Sequence, residues 1–218
     1  MIITIIKMRF VKQRAILAGI ALLFYFCSPV QAQPPSQSYL SPLDNFSLPI
    51  PLGVGQRVQD ENDNNGGKVA FHDDFGNYKS IFYLRLSPRS LELQSDPEAH
   101  RANLERFFNE YAMRWFFKQA FSNASVLHGE YTKVGGDSAY FVLVNLPKGS
   151  TLYDTKARKR CDTKRGMLVF TKGLYIYMLG SGESPFAPEL NGSEPSLELL
   201  VEREKNRLNS FASTITFK

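Results

Sequence analysis

Residues 137–146 read DSAYFVLVNL, a stretch that shows no polar face. Successive side chains of a strand point to opposite sides, so a strand with one wet face alternates apolar and polar residues. This one is apolar on both faces. It must therefore lie centrally in a sheet that is covered above and below. That requirement favours helices on both faces over a single helical layer on one face.

The rest of the chain supplies those helices. Asp96 can cap a helix, Pro97 suits its first turn, and Glu98 complements its dipole. Leu104, Phe107, Phe108, Tyr111, Trp115 and Phe116 then recur at steps of three and four, which predicts one broad apolar face ending near 121–123. A second helix is capped by Ser196 and carries Leu197, Leu200, Val201, Leu208 and Phe211 as its buried stripe. Strands fill the intervals. Val69, Ala70 and Phe71 lead through Asp73-Asp74-Phe75-Gly76-Asn77 into 78–86, a hairpin. Residues 125–134 turn at Gly135-Gly136 into 137–146, and 166–171 turn at Lys172-Gly173 into 174–179. Thr214 to Phe217 reads as a short last strand. The expected fold is α+β: an antiparallel sheet sandwiched by helices (α/β/α), in the order β-β-α-β-β-β-β-α.

The first 32 residues have another use. Lys7, Arg9, Lys12 and Arg14 precede an apolar run at 15–26, broken by Ser28 and Pro29, and Val30-Gln31-Ala32 is a small-x-small cleavage signal. Residues 1–32 are expected to be a signal peptide, with Met8 an alternative start. The run is too short for a spanning helix, so no stable membrane span is expected after cleavage. The expected location is periplasmic or secreted. Composition changes with the leader removed. The chain's formal charge of +5 comes from 26 basic and 21 acidic residues, and four of the basic ones are in the leader, which leaves +1. A nucleic-acid partner loses its electrostatic support. Of the 2 cysteines only Cys161 survives cleavage, so no internal disulfide is expected.

Residues 33–66 hold Pro34, Pro35, Pro42, Pro49 and Pro51, then the polar run 60–65 ended by Gly66 and Gly67. They are expected to form a flexible arm or linker, with Leu43, Phe46, Leu48, Ile50 and Leu52 able to lie on the surface of a single domain at 67–218.

The layout resembles the PsbP-like superfamily. The resemblance is carried by the hairpin at Phe71-His72-Asp73-Asp74-Phe75-Gly76-Asn77-Tyr78 and by the turn Gly135-Gly136-Asp137-Ser138-Ala139-Tyr140. The strand pair within 166–179 and the closing helix ending in Leu208-Asn209-Ser210-Phe211 complete it. It implies an α/β/α domain over roughly 68–218, no shared catalytic motif, and a role in binding or assembly.

The chain has no H-E-x-x-H, C-x-x-C, S-x-x-K, P-loop or G-x-G-x-x-G motif, and Gly180-Ser181-Gly182-Glu183-Ser184 misses the G-x-S-x-G elbow. No enzyme, metal or cofactor is expected. His72-Asp73-Asp74 carries suitable ligand and proton-transfer groups, but neighbours on a strand diverge. His100 is expected to be solvated on its helix, and His128 to sit in a strand. Asn123-Ala124-Ser125 and Asn191-Gly192-Ser193 match a glycosylation pattern that a bacterial cell would not normally use. The sharpest local feature is Lys156, Arg158, Lys159, Arg160, Lys164 and Arg165, six basic residues in ten positions. Such a cluster suits a phosphate, an anionic surface or an acidic partner, through charge and forked guanidinium contacts. The expected function is an exported binding or assembly protein that contacts another extracytoplasmic protein. The alternative is a carrier of an apolar or amphipathic small molecule between the sheet and the helix bearing Trp115.

Overall fold

The computed structural model describes residues 37–50, 57–72, 77–149, 153–154, 159–160, 162–182 and 195–218. Residues 37–218 form one unit. Its strands are β1 (Ser38–Leu40), β2 (Phe46–Pro49), β3 (Arg57–Asn62), β4 (Gly66–His72), β5 (Tyr78–Arg85), β6 (Ser125–Val134), β7 (Asp137–Leu146), β8 (Tyr153–Asp154), β9 (Lys159–Arg160), β10 (Thr163–Lys172), β11 (Tyr175–Gly182) and β12 (Thr216–Phe217). Its helices are α1 (Pro88–Glu92), α2 (Pro97–Arg106) and α3 (Leu197–Ala212), and a π-helical segment, Phe107–Lys118, continues α2.

Seven strands make one antiparallel sheet in the order β3-β4-β5-β11-β10-β7-β6. β7 lies between β10 and β6, and Ala139 through Val144 are all buried. Alternate residues of β7 enter opposite cores. Ala139, Phe141 and Leu143 join one with Leu208, Phe211 and Ala212 of α3. Tyr140, Val142 and Val144 join the other with Leu104 of α2 and Phe108, Ala112, Met113 and Phe117 of the π segment. The fold is the α/β/α sandwich that the two-faced strand requires.

The helix caps follow the sequence. Asp96 Oδ1 accepts from Glu98 N at 2.9 Å and Ala99 N at 3.3 Å, and Ser196 Oγ accepts from Leu199 N at 3.3 Å. The apolar stripe beyond Arg106 differs from expectation. A four-residue step overshoots a 3.6-residue turn, so a straight α-helix would carry a 104, 108, 112 stripe steadily off the sheet. The wider i→i+5 pairing of a π segment holds it in place as far as Phe117. The same widening turns Trp115 outward, where it is 49% exposed rather than in the core.

The stretch expected to be a flexible arm is part of the fold. β2 lies between β1 and β12 in a second, three-stranded sheet, and β3 is the edge strand of the large one. Phe46 is fully buried, its ring edge-on to Tyr83 at 5.2 Å and to Tyr177 at 6.1 Å. Asn45 Nδ2 donates to Tyr177 Oη at 3.0 Å, Tyr39 Oη to Asp60 Oδ2 at 2.9 Å, and Tyr83 Oη to Asn62 Oδ1 at 2.5 Å. The polar run 60–65 is not a linker but the end of β3 and its turn. Asp63 Oδ1 closes that turn by accepting from Asn65 N at 2.7 Å and Gly66 N at 2.9 Å. The folded unit therefore starts at Gln37 instead of residue 67.

Candidate functional site

Strand register builds the site. Across the sheet, His72, Tyr78, Gly182, Arg165 and Val144 occupy one row. Phe71, Lys79, Ser181, Gly166 and Leu143 occupy the next. Adjacent rows face opposite sides. Val144 belongs to the core under α2, and Leu143 to the core under α3. Arg165 therefore lies on the α2 side and Lys79 on the α3 side of the same sheet end. The connections β4 to β5, β7 to β10 and β11 to α3 all leave from this end.

Arg165 is held by its surroundings. Its Cζ stands 4.3 Å from the centroid of the Tyr78 ring, a cation–π distance. Gly182 lies between the two in register. A Cβ there would approach Arg165 Cγ to 3.3 Å, so the glycine lets the side chain pass. Burial pushes the guanidinium below its ordinary pKa, a bias that the Tyr78 phenol partly opposes. Among the described residues no carboxylate forms an ion pair with it.

On the other face, α3 contributes a buried charge. Glu204 is 4% exposed and sits in the apolar stripe between Leu200 and Leu208. Its Oε2 accepts from Ser181 Oγ at 2.5 Å and its Oε1 from Arg207 Nη1 at 2.7 Å. Burial raises its pKa, while Ser181 and the Gly166 backbone N–H favour the charged form. Gly166 makes room for this. A Cβ there would stand 2.9 Å from Glu204 Cβ and 3.1 Å from Leu208 Cδ1. Lys79 lies over the Phe211 ring at 5.3 Å, and its pKa is lowered by burial and then by the nearby Arg207 charge.

Of the sequence-predicted basic cluster, Lys164 and Arg165 stand on β10 at this end, and Lys159 and Arg160 form β9 against β8. Lys156, Arg158 and Cys161 lie outside the described residues, as do the side chains of Lys159 and Arg160. Lys79, Arg207 and Tyr78 are additions from β5 and α3 that the sequence run did not suggest. For Lys79 and Tyr78 the signal is pairing register, which joins strands about a hundred residues apart, whereas Arg207 is placed by α3.

The histidines are placed differently from one another. The His72 ring tilts against Tyr78 at 5.1 Å, whereas Asp73 and Asp74 lie outside the described residues. His100 is half-buried rather than simply solvated on its helix. Its Nε2 is 2.9 Å from Thr171 Oγ1, and burial lowers its pKa. That distance would suit a base and a hydroxyl nucleophile. Thr171 is 6% exposed, however, so the pair ties α2 to β10 beneath the surface. His128 follows a bulge in β6 and pairs with Glu130 at 3.4 Å, and Glu130 also pairs with Lys205 at 2.5 Å. Among the described residues no three His, Cys, Asp or Glu side chains gather as metal ligands.

No family model matches the chain, and neither does any curated protein. Solved structures do. The solution structure of cyanobacterial PsbP (CyanoP) from Synechocystis sp. PCC 6803 is 12% identical, with a TM-score of 0.45 over 88% of this chain and 98% of that one. A crystal structure from Bacteroides thetaiotaomicron VPI-5482 is 9% identical, with a TM-score of 0.44 over 84% of this chain. The match spans about half, 48%, of that second protein. At these scores both are weak likenesses to solved structures and nothing more. Among the described residues no helix is long and apolar enough to cross a membrane.

Proposed function

We propose that this chain is an exported, non-enzymatic binding or assembly protein, and that it docks an acidic face of a partner protein on the basic end of its large sheet. Arg165 carries the reading. A largely buried guanidinium with no carboxylate partner among the described residues is costly, and a carboxylate fork from a partner would offset that cost. Stacking on Tyr78 pre-orients the group and leaves its donor edge available. Lys164, Arg207 and Lys79 carry the same sign of charge at that sheet end, and Lys156, Arg158, Lys159 and Arg160 add to it in sequence. Export rests on the basic and apolar leader at 1–32.

Cross-linking in intact cells, followed by binding measurements on the captured partner, tests this. Arg165→Gln and the double change Arg158→Glu with Arg160→Glu are each expected to weaken binding by about tenfold or more, as loss of a charge-assisted contact does. Rising salt should weaken the wild type further. Unchanged affinity of both variants at low salt would leave the basic end as a solvated face and end the proposal.

A further inference from the structure

A second concavity lies beside the π segment, on the α2 side of the outer strands. Phe82 and Leu84 of β5 form its floor, and Tyr111 and Phe116 line it from the helix. Glu61, Asp63 and Lys68 of the β3–β4 hairpin stand on its rim, and the open groove has a volume of about 340 Å³. The rings are continuous. Phe82 lies 4.7 Å from Phe116 and 6.5 Å from Tyr111, and Tyr111 lies 6.5 Å from Trp115. Core packing accounts for Phe108 and Phe117, which are buried, but not for Tyr111 and Trp115, which are exposed at 36% and 49%. Arg114 places its guanidinium 5.5 Å from the Trp115 centroid, beside the groove, whose lining stops at Tyr111 and Phe116.

We propose that this groove binds a small organic cation of the quaternary or tertiary ammonium class. The inference is independent of the basic end. Aromatic faces are negative, and an alkylated ammonium sheds its weakly held water at small cost to reach them. The rim adds to the attraction. Its two carboxylates outnumber its one ammonium, and Glu61 is exposed with no ion pair among the described residues. Asp63 spends one oxygen, Oδ1, on the hairpin turn. Lys68 faces Glu61 across the hairpin and opposes a cation. A free anion meets the wrong sign of charge on both the rings and the rim.

The probe is choline, compared with its neutral isostere 3,3-dimethylbutan-1-ol. Binding is followed by titration calorimetry and by the fluorescence of the single tryptophan, Trp115. Choline is expected to bind saturably in the millimolar range, about tenfold tighter than the neutral isostere. Tyr111→Leu keeps an apolar contact without the ring and should weaken choline several-fold. Glu61→Gln should weaken it as well, and Lys68→Gln should tighten it. Equal affinity for the two probes would show a merely apolar groove and overturn the proposal. Choline that produces neither heat nor a fluorescence change overturns it too. None of these changes touches Arg165, so failure here is separate from failure of the docking proposal.

Discussion

His100 shows how one side chain can report on the whole fold. Its ring is held near Thr171, and burial depresses its pKa. A histidine whose folded pKa is depressed takes up its proton more readily in the unfolded chain. Stability is then complete above the ordinary value near 6.5 and falls as pH drops below it. The thermal midpoint is therefore expected to decline as pH is lowered from about 6.5 towards 5, and His100→Gln should flatten that slope. An identical slope in the variant would mean that other groups set the acid limit. Residues of this kind were not legible in the sequence. Helical periodicity places His100 early on an exposed-looking turn, and only the sheet beneath decides whether it meets a hydroxyl. Glu204 is the opposite case. It stands four residues from both Leu200 and Leu208, in the middle of the apolar stripe, a spacing that was open to reading as a buried carboxylate and was passed over.

At the scale of elements, the regular pieces were readable because local rules agree with one another. β6 and β7 have the expected limits, Gly135 and Gly136 take φ of +56° and +93° at their turn, and both long helices begin at the expected caps. The arm was misread because prolines and a polar run look alike in a linker and at a sheet edge. What distinguishes them is tertiary: Phe46 and Leu48 alternate inward toward an aromatic core that lies far away in sequence. Two substitutions separate the expectations. Phe46→Ala is expected to cost about 3–5 kcal/mol in urea unfolding, as deletion of a buried ring does. Trp115→Ala, on the outward side of the π segment, should fall within about 1 kcal/mol of wild type. If Phe46→Ala were as mild as Trp115→Ala, the arm would be a loosely held surface strand.

Across the whole molecule, the sheet is knitted by antiparallel neighbours, while the core under α3 is closed by the two ends of the folded unit. β12 pairs with β2, Phe217 packs edge-on to Tyr177 at 4.8 Å and to Phe170 at 5.6 Å, and Lys218 N donates to Asn45 O at 3.1 Å. Removing residues 214–218 takes away Ile215 and Phe217 together and leaves an edge of β2 unpaired. The expected loss is roughly 3–6 kcal/mol, read as a lower urea midpoint. Hydrogen exchange should quicken in β2 before it quickens in β7. The sandwich architecture was legible from β7 alone, whereas this closure was not, since nothing local to 216–217 names residue 46 as a partner.

That closure also has a consequence in time. A nascent chain that has reached residue 200 holds all seven strands of the large sheet but lacks β12, which pairs with β2 and packs Phe217 on Tyr177. Contacts spanning the full domain form late and slowly. The core under α3 can therefore close only once β12 has left the ribosome, and the segment made before it is expected to stay loosely assembled until then.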